Sequence, residues 1–140
     1  MKINKNIYHL MVNRYFDSYI ETGGILGGSN GIVTNFIFDI GLSGSDRRHY
    51  YPNTDKLNAC LLEWQESGIE FYGIIHSHLT NETSLSKGDK SYIKKIMLSM
   101  PADIKELFFP IVIPRKEIIL YKARRLRNEI NITDCNINIL

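Results

Sequence analysis

IEFYGIIHSHLTNETSLSKGD, residues 69–89, contains the pattern of a strand, a loop and the first turn of a helix. Its first part, 69–78, is rich in aromatic and β-branched side chains, which favour a strand. Apolar residues fall on both faces of that strand, so we expect it to be central and covered on both sides. Ser86 can then cap a helix in which Asp89 is the third residue.

Upstream of this segment, the pattern predicts a helix and a hairpin. Apolar residues recur at helical spacing over 4–19, as in an amphipathic helix. The glycine-rich run GGILGG at 23–28 is typical of a buried strand that another backbone approaches closely. The turn signal Ser-Asn-Gly at 29–31 joins it to a strand-like run at 32–40, so the two strands should pair as a hairpin.

The remaining elements alternate between helices and strands. In chain order, the first are a loop at 41–51 and a helix that is capped by Asn53 or Thr54 and ended by Gly68. The strand and helix described above follow, and that helix ends at Met100-Pro101. Strands at 107–113 and 118–121, joined by a turn at 114–116, and an edge strand within 128–140 complete the order. This order predicts the α/β class, with one domain spanning 1–140. Its central mixed sheet should be flanked by helices on both faces.

Composition narrows the class of protein. Hydrophobic residues make up 44% and charged residues 23% of 140, which is typical of a folded globular protein. The net charge of +2 points neither to nucleic acid nor to a membrane surface. Cys60 and Cys135 are expected to be reduced thiols. The first residues lack the pattern of a signal peptide and no apolar run reaches 18 residues, so we expect a cytoplasmic protein without a membrane span.

Two histidines are the first candidates for chemistry. His76 and His78 are two residues apart on the predicted strand, so their side chains lie on the same face. Their Cα atoms should be about 6.6 Å apart, from the rise per residue of a strand. This spacing lets two imidazoles converge on one ion, although an isolated H-x-H is more often solvated or hydrogen-bonded. Asp89 would complete a three-ligand set, which leaves a fourth position for water in catalytic zinc sites. A carboxylate in a first helical turn is also favoured by the helix dipole, whatever its function.

Glu21 is the candidate general base for such a site. It lies just before the glycine-rich strand, whose lack of side chains permits close packing beside the metal-bearing strand. Taken alone, a glutamate ahead of a strand is more often a solvated charge. The joint spacing is more specific, because E-x-x-G-x-L-x-G precedes H-x-H-x7-S-x2-D in the same chain. These motifs consist of Glu21, Gly24, Leu26 and Gly28, and of His76, His78, Ser86 and Asp89.

This combination resembles the JAMM metalloproteases of the MPN (JAB/MPN) domain family, in particular their compact bacterial stand-alone members. The resemblance implies an α-β-α sandwich of the cytidine-deaminase-like kind. It also implies zinc bound by His76, His78 and Asp89, with water as the fourth ligand. Glu21 would be the base and Ser86 would hydrogen-bond near the oxyanion. One residue departs from the pattern, since the family usually has proline where this chain has Leu79.

The resemblance also implies substrates and partners. The family cleaves isopeptide or peptide bonds, most often after the C-terminal glycine of ubiquitin or a ubiquitin-like protein. The loop 41–51 would be a flap over that tail, and the short connections at 41–52 and 100–106 leave no room for selectivity between polyubiquitin linkages. Analogy suggests activating and conjugating enzymes of one operon, as in antiviral defence, or the processing of a sulfur-carrier protein.

Other functions fit the sequence less well. A non-catalytic MPN scaffold for protein interactions usually lacks one or more ligands, whereas this chain keeps them all. A zinc deaminase needs a C-x-x-C pair, which is absent. His9 and His49 are interpreted as surface or core histidines rather than further ligands. A basic patch would suit nucleic acid, but a charge run is more often a solvated surface, and it consists of Arg115, Lys116, Lys122, Arg124, Arg125 and Arg127.

Overall fold

Eight strands and three helices make up the described part of the chain. A computed structural model describes residues 1–42, 48–79 and 81–140. The elements are β1 (Lys2–Ile3), α1 (Lys5–Leu10) continued by a π-helical turn (Met11–Tyr15), β2 (Gly23–Ser29), β3 (Ile32–Asp39), α2 (Thr54–Glu66), β4 (Glu70–Ser77), α3 (Lys87–Ser99), β5 (Glu106–Ile113), β6 (Glu117–Leu126), β7 (Glu129–Cys135) and β8 (Asn138–Ile139). No helix among these residues is long and apolar enough to cross a membrane.

All eight strands belong to one mixed sheet, in the order β7-β6-β5-β4-β2-β3-β1-β8. The strand β4 lies inside this sheet, as the sequence predicts, and the structure shows it to be parallel to β5 and antiparallel to β2. The strands β7 and β8 stand at opposite ends of the order, yet only residues 136 and 137 separate them in the chain. The sheet therefore curls until its two edges come close together.

Helices cover both faces of the sheet. The pair α2 and α3 packs on one face, where Leu57 and Ile93 join the apolar side chains of β4 and β5 in the core. The first helical segment packs on the other face, where Met11 and Phe16 lie against Leu26. This arrangement confirms the predicted α/β sandwich with a mixed sheet between two helical layers.

The β2–β3 hairpin shows why the glycine-rich sequence folds locally as predicted. Asn30 and Gly31 have φ values of 54° and 75°, the left-handed pair that a two-residue hairpin turn requires. A Cβ at Gly24 would overlap the carbonyl oxygen of Ile37 on the adjacent strand. The backbone of β3 therefore lies very close to β2, as the glycine-rich sequence predicted.

The helix predicted over 4–19 is shorter than expected. Its last turn is π-helical and ends at Tyr15, and Phe16 is extended with φ −102° and ψ 135°. The extended backbone lets Phe16, which is 2% exposed, enter the core, while a continued helix would direct the chain past it. The apolar residues that suggested the helix, Ile7, Leu10, Met11 and Tyr15, all lie within its helical part, so only the predicted end was too late.

Two further predictions differ in extent. The strand predicted at 118–121 is part of the longer β6, and the tail provides two edge strands instead of one. Short apolar runs mark only the buried centre of a strand, so the exposed ends of β6 carry no signal. The predicted loop 41–51 is described at both ends, but residues 43–47 lie outside the described residues.

Candidate metal centre

Two imidazoles meet at the carboxyl end of β4. His76 is the penultimate residue of the strand and His78 directly follows the strand. Side chains alternate between the two faces, so both histidines lie on one face, as predicted. Their Nε2 atoms are 3.0 Å apart. His78 is buried and His76 is half-buried.

Asp89 reaches the two imidazoles from the first turn of α3. Its Oδ1 lies 3.5 Å from Nε2 of His76, and its Oδ2 lies 3.4 Å from Nε2 of His78. The helix is capped by Ser86, whose Oγ accepts from the Asp89 N–H at 3.0 Å and whose N–H donates to Asp89 Oδ2 at 2.9 Å. The capping box therefore also aims the carboxylate at the histidines.

The spacing of these three donors fits one metal ion. Donors about 2.0–2.1 Å from a tetrahedral zinc ion lie roughly 3.3–3.4 Å apart, close to the 3.0–3.5 Å between His76, His78 and Asp89. Nδ1 of His78 donates to the carbonyl oxygen of Glu82 at 2.8 Å, which leaves the lone pair of a neutral ring on Nε2. A second hydrogen bond of this kind is what orients metal-binding histidines. His76, His78 and Asp89 could therefore hold a metal ion.

The charges of the group favour an ionised carboxylate. Burial alone would raise the pKa of Asp89, but hydrogen bonds with His76 and His78 outweigh it and hold that pKa well below its usual range. Burial lowers the pKa of His78, but the hydrogen bonds with Asp89 and with the Glu82 carbonyl raise it more, so its pKa lies above the ordinary value. The site attracts positive charge, whether a proton or a metal cation.

Glu21 lies beside this group. It lines the same cavity as His76 and Asp89, and its charge contributes to the raised pKa of His78. The next residue, Thr22, donates its N–H to Oγ of Ser77 at 3.1 Å and accepts the Ser77 N–H at 2.8 Å. The buried side chain of Ser77 thus joins the start of β2 to the strand that carries the histidines, and it holds Glu21 near them.

The cavity at this site measures about 520 Å³. Ser86 also lines it, so all five residues that the sequence singled out for chemistry lie in one small region. Ser86 Oγ accepts the cap hydrogen bond and still has its own proton to donate. Apolar side chains form part of the wall, and the lining includes Tyr50, Tyr51, Ile74, Tyr92, Ile93 and Phe109.

Further residues of the cavity, on its β3 side and on α3, carry no motif in the sequence. Tyr50 lines it, and its hydroxyl donates to the buried carboxylate of Asp39 at 2.7 Å. Tyr92, one helical turn after Asp89, has its pKa raised to about 12 by burial and by the charge of Asp39. A single aspartate and single tyrosines form no motif, so no sequence signal marked them.

The other histidines, His9 and His49, are not members of the donor group. His9 is exposed on α1, and His49 is exposed at the rim of the cavity. Among the described residues, the group of His, Cys, Asp and Glu with metal-binding spacing consists of His76, His78 and Asp89 only. Leu79, where the resemblance leads one to expect proline, is half-buried directly after His78.

Part of the basic patch is engaged within the chain. Arg125 donates to the carbonyl oxygens of Met97 and Met100 at the end of α3. Lys122 lies 3.6 Å and Arg124 lies 3.9 Å from the same carboxylate, that of Glu106. Three of the six cations therefore have partners in the fold, one at a helix end and two at an acidic side chain.

Solved structures share this architecture. The solution structure of protein DSY2949 from Desulfitobacterium hafniense superposes with a TM-score of 0.64 at 14% identity, covering 100% of this chain and 94% of that one. The crystal structure of AF2198, a JAB1/MPN domain protein from Archaeoglobus fulgidus, superposes with a TM-score of 0.56 at 15% identity, with 100% and 96% covered. Searches of protein-family models and of curated proteins found no match.

The fold and the donor group together define the class. The chain has an MPN-like α/β fold, as the motifs predicted, and carries a His-His-Asp group that could hold a metal ion. At this level of identity the superpositions establish the fold, while the chemistry depends on the residues described above.

Proposed function

We propose that this chain is a zinc-dependent peptidase or isopeptidase of the JAMM type. The observation that carries the proposal is the convergence of His76, His78 and Asp89 in a cavity that Glu21 and Ser86 also line. A structural metal site closes its coordination with four protein ligands, whereas three ligands beside an acid–base residue are typical of a catalytic site.

Zinc is the metal that this donor set suits best. Two imidazole nitrogens and one carboxylate oxygen with near-tetrahedral spacing match the ligands of catalytic zinc, while calcium and magnesium prefer oxygen ligands only. When bound, a zinc ion supplies Lewis-acid polarisation of a carbonyl and lowers the pKa of water to about 7.

The chain's own residues would carry the proton transfers. Glu21 accepts a proton from the attacking water and passes it to the departing amine, which cannot leave as an anion. The hydroxyl of Ser86 donates a hydrogen bond to the substrate carbonyl oxygen, where negative charge develops. Asp89, fixed by the capping box, and His78, fixed by the Glu82 carbonyl, keep the donor atoms aimed at one point.

The proposed substrate is the C-terminal glycine of ubiquitin or a ubiquitin-like protein, joined to a lysine side chain or a peptide. An extended tail can enter such a cleft and add main-chain hydrogen bonds along its walls. In this proposal the chain acts in the cytoplasm beside activating and conjugating enzymes, for example in antiviral defence. Processing of a sulfur-carrier precursor is the alternative, with the same bond and the same residues.

Cleavage of a ubiquitin-like fusion, with and without a chelator, tests the proposal. We expect one equivalent of zinc and turnover that the chelator abolishes and added zinc restores. His76→Ala should lose both the zinc and the turnover, whereas His9→Ala, which removes an exposed histidine remote from the donor group, should keep both. Zinc binding without cleavage of any ubiquitin-like fusion would favour the non-catalytic scaffold instead.

A further inference from the structure

A buried carboxylate organises the loop beside the proposed catalytic site. Asp39, at the end of β3, is 1% exposed. Its Oδ1 accepts the N–H of Gly41 at 3.1 Å, and its Oδ2 accepts the N–H of Asn53 at 2.9 Å and the hydroxyl of Tyr50 at 2.7 Å. One side chain thus holds both ends of the segment 41–53. Nζ of Lys56 lies 3.9 Å from Oδ1, so both oxygens of this buried side chain have polar partners, as buried polar groups generally do.

The ring of Tyr50 is held as firmly as its hydroxyl. A Cβ at Gly23 would overlap this ring and the carbonyl oxygen of Ile75, so β2 leaves a space for the ring only because glycine stands there. On its other side the ring meets Gly41, which has a φ of 84°. Burial and the hydrogen bond to Asp39 raise the pKa of Tyr50, so the phenol remains a protonated donor.

This held ring lies next to the proposed chemistry. Gly23 is the register partner of His76 and lies two residues after Glu21. Tyr50 lines the cavity together with Glu21 and His76. The backbone continues the same wall, because the N–H of Leu42 donates to the carbonyl oxygen of Tyr51 at 2.8 Å and closes the described base of the loop.

We propose that Asp39 and Tyr50 are positioning residues that fix one wall of the substrate cleft before substrate arrives. This inference rests on the proposed function, since it assigns the wall to substrate binding. If the wall is ordered before binding, no binding free energy is lost in ordering it, so the substrate binds more tightly. The hydrogen bonds described above for the pair join Asp39 to Tyr50, Gly41 and Asn53 and not to the His-His-Asp group, so zinc binding and the chemical step should depend little on the pair.

The variant Tyr50→Phe tests the role because it keeps the ring and removes only the hydroxyl. Tyr72→Phe is the matched control: its hydroxyl also donates to a carboxylate, Glu70 at 3.0 Å, at the opposite end of β4. The substrate probe is ubiquitin extended at its C-terminal glycine by a short fluorescent peptide. We expect KM for Tyr50→Phe to rise about tenfold, the scale of a lost hydrogen bond to a charged group, with kcat and zinc affinity kept.

A double-mutant cycle with Asp39→Asn shows whether the two residues act as a unit. If they do, the rise in KM for the double variant will be well below the product of the two single effects. An unchanged KM in Tyr50→Phe, or the same rise in Tyr72→Phe, would overturn the proposal. A fall in kcat with constant KM would also overturn it, because it would place the pair in the chemical step.

Hydrogen exchange separates this inference from the proposed function. The amides of Gly41 and Asn53 should exchange faster in Tyr50→Phe than in wild type and Tyr72→Phe, because their acceptor, Asp39, is less firmly held. If wild type neither binds nor cleaves the probe, the proposed function fails, and unchanged exchange at both amides shows separately that Tyr50 does not fix the wall.

Discussion

Single side chains at this site serve both folding and the proposed chemistry. Asp89 accepts the Ser86 N–H as part of a helix cap and presents its two oxygens to two imidazoles. The capping box predicted from the sequence is confirmed, and the same carboxylate belongs to the group that could hold a metal ion. The helix cap does not compete with metal binding, because it fixes the direction of the carboxylate.

Replacing Ser86 by alanine should affect rate and stability separately. Loss of a donor to the developing oxyanion should lower kcat by about 10²–10³, as for a single oxyanion donor. Loss of the cap should cost about 1 kcal/mol of unfolding free energy. Steady-state kinetics and denaturant unfolding measure the two effects, with Ser84→Ala as the control, since only the Ser84 backbone N–H makes a hydrogen bond there. An unchanged kcat would remove Ser86 from the chemistry.

Zinc affinity should fall with pH earlier than an ordinary histidine would dictate. The proton and the metal compete for Nε2 of His78, so binding is strong above the pKa of that ring and weakens below it. Because this pKa is raised, the loss should begin above pH 6.5, at about tenfold in Kd for each pH unit. Asp89, with its lowered pKa, stays ionised throughout this range. Isothermal titration calorimetry with zinc from pH 8 to pH 5 measures Kd. A Kd that starts to rise only below pH 6 would contradict the prediction.

At the scale of elements, close backbone contact places β4 beside its neighbours. A Cβ at Gly73 would overlap the carbonyl oxygen of Phe108 on the parallel strand β5. Moving either strand would displace His76, three residues further along β4, from Asp89 on α3. The geometry of the candidate metal site therefore depends on a glycine, Gly73, that lies outside it.

Gly73→Ala should destabilise the fold strongly, by about 2 kcal/mol or more, because the overlap is with backbone and the strand must shift. Gly88→Ala is the matched control. Its added Cβ would meet only Ser86 Oγ, at 3.7 Å, and alanine is the better helix former. Urea unfolding of both variants compares them, and equal stabilities would show that β4 and β5 have room to separate.

The elements that sequence predicted well are those marked by local chemistry. The Ser86 cap, the Asn30-Gly31 turn and the glycine-rich β2 each act within a few residues, so the sequence carries them directly. The π-helical turn and the two-residue strands β1 and β8 depend on distant contacts and gave no signal, whereas the edge strand predicted within 128–140 corresponds to β7. The role of Asp39 is of the same kind, because its partners are brought together only by the path of the loop.

At the scale of the whole molecule, the curled sheet brings the parts of the site together. Glu21 precedes β2, the histidines end β4 and Asp89 begins α3, and these meet only because β2 and β4 are neighbours in the sheet. The resemblance of the two motifs to a known family predicted that these residues lie together. The order of the strands that brings them together could not be predicted from the motifs, because it depends on the complete fold.

Zinc should stabilise the complete fold, because it binds the assembled site and not the unfolded chain. At free zinc a hundredfold above Kd, the gain is about 2.7 kcal/mol of unfolding free energy. Thermal melts with zinc and with chelator should differ accordingly for wild type and for His9→Ala, but not for His76→Ala. An equal shift in His76→Ala would place the stabilising metal elsewhere.

In the proposed function, Glu21 acts as the base beside a zinc ion that it does not bind. The most direct measurement compares zinc content and cleavage of a ubiquitin-like fusion for wild type and Glu21→Gln. We predict one equivalent of zinc in both proteins, with turnover reduced about 10²–10⁴-fold in the variant, the usual contribution of a general base. Full turnover by Glu21→Gln with zinc retained would contradict this role.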